Sequence, residues 1–191
     1  MDEPVKHHVC PWWLGYFLSC PLRRFVENPE KLLGPYVRQG MVVVEPGCGM
    51  GFFSLPLARM VGPSGRVVCV DLQPRMITRL VKRAKKRGLL DRIEAVVCTE
   101  NDLGLESHRE TIDLAAAIHV VHEVPDASRF LTQIHNALKR SARLLILEPK
   151  GHVTLQEFNK TLDQARQAGF IELEPQTIRK EHAALLEKNS P

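Results

Sequence analysis

One stretch constrains this chain more than any other: Val42-Val43-Val44-Glu45-Pro46-Gly47-Cys48-Gly49-Met50-Gly51. A short β-branched apolar run reads as a strand buried on both faces, as parallel sheets require. It ends in a carboxylate and then in glycines, which permit left-handed backbone angles and close approach of a ligand. Helical content follows from Phe52 to Val61 and stops at Gly62-Pro63. In an open parallel sheet, ligands settle beyond the carboxyl ends of the strands, so this turn is placed to meet one.

The same unit recurs along the chain. Arg66 to Asp71 is a second apolar run ending in an acid. Pro74 to Arg87 reads as a helix with Met76, Ile77, Leu80, Val81 and Ala84 on one stripe, and Gly88 ends it. Further strands are expected at Ile93–Cys98, Ile112–Ile118 and Arg143–Leu147. Helices are expected from the Asp126 cap to about Lys139 and over Thr154–Ala168. Phe170–Leu173 and about Ala183–Glu187 form a closing antiparallel hairpin at one edge. Strands separated by such helices require right-handed crossovers and a mostly parallel sheet.

Residues 1–40 differ from the rest, holding both tryptophans and both tyrosines. Asn28-Pro29 offers a helix start and Gly34-Pro35 a stop. The 191 residues fit one domain, and 44% apolar with 25% charged residues exclude a disordered or fibrous chain. Five cysteines without tight spacing argue against a disulfide framework and for a reducing, cytoplasmic setting. The apolar stretch Val9–Leu22 is too short and too rich in proline for a membrane span.

The spacing of the glycines narrows the ligand. Gly47, Gly49 and Gly51 make G-x-G-x-G, not the dinucleotide G-x-G-x-x-G. Glu45 before them repels a pyrophosphate and attracts a cation. Asp71 lies about 20 residues further on, where an acid binds ribose hydroxyls; it could equally cap the helix that follows.

Glu45-Pro46-Gly47-Cys48-Gly49-Met50-Gly51 and Val67-Val68-Cys69-Val70-Asp71 resemble the first two motifs of the class I, Rossmann-like methyltransferases that use S-adenosylmethionine. The resemblance covers nearly everything from Met41 onward. It implies an α/β three-layer sandwich with a seven-stranded, mostly parallel sheet in order 3-2-1-4-5-7-6, the last strand antiparallel. Residues 41–191 would form the methyltransferase domain. Residues 1–40 would be a short helical segment or lid, with Trp12, Trp13, Tyr16 and Phe17 as apolar walls, or would pack permanently on the sheet or mediate a dimer.

The same resemblance implies roles by position. Gly47, Gly49 and Gly51 would pack against the methionine part of the cofactor, and Glu45 would sit near its amino end. Asp71 would hold the ribose, with Leu72 against the adenine. Asp102, after the third strand, is the choice for the adenine amino group, with Cys98 and Glu100 as competitors. His119, at the end of the fourth strand, would line the cofactor site near the transferred methyl or be a satisfied histidine at a strand end. His122 and Glu123 could form a base with its orienting acid, unless Glu123 belongs only to the following turn, and the Leu147–Lys150 segment could also reach the acceptor.

A small-molecule methyl acceptor is expected. The chain has neither Asn-Pro-Pro-Tyr after the fourth strand nor a Pro-Cys pair, which disfavours two routes of nucleic-acid base methylation. The basic helix 75–87 leaves RNA or protein methylation as an alternative, though no aromatic residue is interleaved there for stacking. A non-catalytic module that only binds the cofactor is a third reading. No metal is expected: His7, His8, Cys10, Cys20 and the His119-x-x-His122 pair offer ligand types without an established zinc spacing. No motif bears on oligomeric state.

Overall fold

A computed structural model describes residues 27–173, 178 and 181–189. The expected lid residues Trp12, Trp13, Tyr16 and Phe17, and His7, His8, Cys10 and Cys20, lie outside that range. Helix α1 (Pro29–Leu33) starts where expected: Asn28 caps it by accepting the Lys31 N–H at 3.1 Å, with Pro29 at the first position. Leu33 and Val37 are buried against the main sheet layer.

From there strands and helices alternate: β1 (Val42–Pro46), α2 (Ser54–Met60), β2 (Arg66–Asp71), α3 (Pro74–Lys86), β3 (Ile93–Val97), β4 (Ile112–Ile118), α4 (Ala127–Ala137), β5 (Leu138–Pro149), α5 (Leu155–Gln167), β6 (Phe170–Glu172) and β7 (Glu181–Lys188). The strands form one sheet in order β3-β2-β1-β4-β5-β7-β6. Strands β1 to β5 are parallel, and β7 runs antiparallel between β5 and β6. The expected three-layer architecture and strand order are therefore observed.

The unbroken apolar runs have a direct cause. Successive side chains of a strand point to opposite faces, and both faces here are covered. Val43, Val67, Leu145 and Leu147 pack with α1, α2 and α3 on one side. Val44, Val68, Leu144 and Ile146 pack with α4 and α5 on the other. The stripe Met76, Ile77, Leu80 and Ala84 is the buried face of α3. Helix α5 begins with a capping box, in which Thr154 and Glu157 satisfy each other's backbone N–H groups.

Strand β5 departs from expectation. It begins at Leu138, where α4 was expected to continue to about Lys139, and extends five residues before Arg143. Its polar stretch Lys139-Arg140-Ser141 is exposed and carries a residue at φ +56°, Ser141. The pairing with β4 shifts register between Ile112 and Leu114. An irregular, solvated strand start of this kind has no apolar period to betray it.

Candidate active site

The carboxyl ends of β1, β2, β3, β4 and β5 open into a cavity of about 660 Å³, within the size range of small-ligand sites. The residues expected at the cofactor and at the chemistry converge on it: Glu45, Gly47, Gly49, Asp71, Leu72, Asp102, His119, His122 and Glu123 all line its wall. Gly51 sits one turn behind the wall, where a β carbon would lie 2.3 Å from Leu80.

The glycine bend is shaped by close packing. Gly47 has φ +70°, and a β carbon there would lie 2.6 Å from Val120 Cγ2. Its glycine thus lets the segment after β4 lie against the bend. At Gly49, φ is +53° and nothing occupies the space within 4 Å of where a side chain would project. Arg83, on the basic helix 75–87, donates a short hydrogen bond to the Met50 carbonyl and braces the bend from behind.

Glu45 is 3% exposed, and its Oε2 has no hydrogen-bond partner among the described residues; the buried Ser54 hydroxyl lacks one too. Burial pushes the Glu45 carboxyl up to about 8; the nearby Ser54 hydroxyl opposes this and the charge of Asp71 adds to it. A buried acid with an orphaned oxygen would be stabilised in its ionised form by a cation placed beside it.

Asp71 ties the bend to the turn that precedes α3. Its Oδ2 accepts the Gly49 N–H at 2.8 Å and its Oδ1 accepts the Gln73 N–H at 2.8 Å. Burial raises its carboxyl, while these two hydrogen bonds pull the other way. Each oxygen keeps further accepting capacity, and Asp71 lines the cavity. The alternative read from sequence, a cap for the following helix, is not what forms: Asp71 holds the N–H of Gln73, the residue before that helix, and the helix itself has no side-chain cap.

After β3, Asp102 spends part of its capacity on its own loop: Oδ1 accepts the Gly104 N–H at 2.9 Å, and its carbonyl accepts the Thr99 N–H at 2.9 Å. Gln133 on α4 holds the same loop, accepting from Leu103 N–H and donating to the Asn101 carbonyl. Cys98 also lines the cavity. Its thiol is pushed up to about 11, chiefly by burial, with the charges of Asp71 and Asp102 adding, so it is no thiolate at neutral pH.

The segment after β4 carries the groups able to move protons. His119 has φ +55°, a left-handed angle uncommon outside glycine. Its N–H donates to the Leu147 carbonyl at 2.8 Å, and its Nε2 lies 3.0 Å from Glu181 Oε2. His122 does not take Glu123 as its close partner; the nearest approach is 4.0 Å, from Nε2. Its Nδ1 instead makes a short hydrogen bond to Glu148, at the end of β5. Glu148 is 1% exposed, and its other oxygen accepts the Val121 N–H at 2.8 Å. Burial works against a charge on His122, but the hydrogen bond and charge of Glu148, with Glu123 and Glu157 adding, prevail and raise its pKa. A proton fixed on Nδ1 leaves Nε2 as the basic nitrogen.

Known proteins share this chain's sequence pattern and fold. A family model described as a methyltransferase domain matches residues 38–187. A ubiquinone/menaquinone biosynthesis C-methyltransferase from an Enterobacter species is 29% identical over 112 residues, 59% of this chain and 44% of the relative. A 23S rRNA (uracil-C5)-methyltransferase from Acinetobacter baumannii is 44% identical over 54 residues, 28% of this chain and 12% of the relative. The chain thus spans less than half the length of either relative. The crystal structure of a SAM-dependent methyltransferase from Aquifex aeolicus superposes with TM-score 0.84 at 23% identity, covering 95% of this chain and all of that one. With the matched model spanning most of its length and the sheet order observed, the chain belongs to the class I, S-adenosylmethionine-dependent methyltransferase family.

Proposed function

We propose that this chain transfers a methyl group from S-adenosylmethionine to a small-molecule acceptor that must give up a proton, with His122 as the base. The observation that carries the reading is the His122–Glu148 pair on the cavity wall. S-adenosylmethionine supplies a methyl already activated on a sulfonium, so the protein's task is to bind, exclude water and align. Alignment of this kind contributes roughly 7–11 kcal/mol to lowering a barrier.

The donor set fits that cofactor. The orphaned Glu45 oxygen suits its ammonium group, and the open space at Gly49 admits its methionine chain. The free lone pairs of Asp71 suit two ribose hydroxyls, with Leu72 and Asp102 toward the adenine. His119 would flank the transferred methyl, and His122 Nε2 would take the acceptor's proton while Glu148 holds the ring. Glu123 would add negative charge beside the same imidazole. Residues 1–40 would close the open side as a lid. The unpaired Cys48, Cys69 and Cys98 suit a reducing, cytoplasmic setting; no helix among the described residues is long and apolar enough to cross a membrane.

The buried acid has a pH consequence. Seating an ammonium at Glu45 favours its ionised form, so binding below pH 8 releases a proton. Affinity for S-adenosylmethionine is expected to rise by up to roughly tenfold per pH unit below about 8, and to level where the ligand's own amino group starts to lose its charge. Calorimetry across pH 6–8 reads this, and Glu45→Gln is expected to abolish the slope. Without ligand the sign reverses for stability. The folded state keeps a proton that the unfolded state sheds near 4.5, so the fold weakens as pH climbs from there toward 8.

The name of the Enterobacter relative recommends a quinol as first acceptor probe. Incubation with S-adenosylmethionine and a naphthoquinol, simple phenols and thiols is expected to release S-adenosylhomocysteine. Ribosomal RNA, the probe for the alternative use of the basic helix 75–87, is expected to release none. Turnover on RNA alone would overturn the acceptor class, and tight cofactor binding with no turnover on any acceptor would favour the non-catalytic module.

A further inference from the structure

Three residues far apart in the chain meet at the edge of the cavity. Glu27 precedes α1, His119 ends β4 and Glu181 opens β7. One carboxylate oxygen from each glutamate and one ring nitrogen of the histidine all lie within 4.8 Å of one another, each side chain partly buried. We propose that Glu27, His119 and Glu181 form a seat for a divalent transition-metal ion of the manganese or iron(II) type. No metal was expected from sequence, because these residues share no local spacing.

The chemistry of the set supports it. Two carboxylates and an imidazole brought this close offer a dication three donors and two negative charges at one place. The His119 Nε2 to Glu181 Oε2 distance is 3.0 Å. Neighbouring donors around an octahedral ion with bonds of about 2.1 Å are separated by about the same distance. Carboxylates suit manganese and an imidazole suits iron, and the set holds no thiolate, the ligand that selects copper(I) and zinc. Three protein donors leave positions for water or an anionic oxygen of a bound molecule. His119, which lines the cavity, places those positions at its edge.

The left-handed backbone at His119 is consistent with a role beyond packing, since strained residues persist where the surroundings over-determine them. A plain ion pair is the competing account: His119 and Glu181 would then only tie β4 to the start of β7.

Manganese(II) separates the two, because it competes poorly for the chain's cysteines. The full-length protein, dialysed against chelator, is titrated with Mn2+ alone while the free ion is followed by electron paramagnetic resonance. One ion per chain with micromolar affinity is expected. Glu181→Gln and Glu27→Gln are each expected to weaken uptake by roughly 100-fold, at least the loss seen when an outer-sphere partner is removed. Both should retain the wild-type circular dichroism spectrum and S-adenosylmethionine affinity. No uptake by the wild-type chain at millimolar Mn2+, or uptake that neither substitution changes, overturns the proposal. Because the readout is metal binding, it stands or falls independently of turnover on any acceptor.

Discussion

Exchanging His122 for Gln is expected to slow methyl transfer by about 100- to 10,000-fold, the range a positioned base contributes. Cofactor affinity should stay within a fewfold of wild type if His122 serves the acceptor, as proposed. Glu148→Gln tests the positioning role separately. The amide still accepts the Val121 N–H, so the turn after β4 keeps its anchor. It no longer favours a charged imidazole. In wild type the rate is expected to rise with pH through a His122 pKa held above 6.5, because the base must be neutral to act. In Glu148→Gln that rising limb moves to lower pH, and the plateau falls. Rates against pH at saturating cofactor decide the matter. A His122→Gln enzyme with unchanged turnover would remove the base from the mechanism.

Asp71→Ala is expected to weaken S-adenosylmethionine by at least about 100-fold. One ribose-binding carboxylate, with hydrogen bonds to a charged group worth ~1.5–3 kcal/mol each, accounts for a loss of that order. The product S-adenosylhomocysteine should lose the same factor, since it carries the same ribose. A second effect accompanies the first: the Gly49 and Gln73 N–H groups lose their acceptor, so the melting temperature should fall as well. Asp71→Asn keeps the volume and one acceptor oxygen and separates the two effects. Calorimetry on both ligands is the measurement. Wild-type affinity in either variant would show that the carboxylate serves only the bend.

The parts of the molecule legible in sequence are those whose cause is local. Val42–Val44 and Leu144–Leu147 announce buried strands because both faces of each are covered. Asn28, Asp126 and Thr154 mark helix starts because a cap satisfies donors three residues away. Glu45 and Asp71 stand out because each ends a strand beside the glycine bend. What was hidden depends on distance. The partner of His122 was read as its neighbour Glu123, yet it is Glu148, supplied by the adjacent strand β5. Gln133 steadies the loop after β3 from a helix some thirty residues on. Glu27 and Glu181 reach His119 across most of the chain. No periodicity records such meetings; only the register of neighbouring strands does.

The place of β7 bears on how this molecule is made. It lies inside the sheet, pairing with β5 through seven residue positions from Arg143↔Glu187 to Pro149↔Glu181. Until it emerges from the ribosome, β5 presents a bare flank of unpaired backbone groups beside Leu144, Leu145, Ile146 and Leu147. Such a flank recruits strands from other nascent chains. The rim that carries Glu148 therefore acquires this border only once residues 181–188 have been made, and a chain cut ahead of Glu181 is expected to clump rather than to form a smaller enzyme.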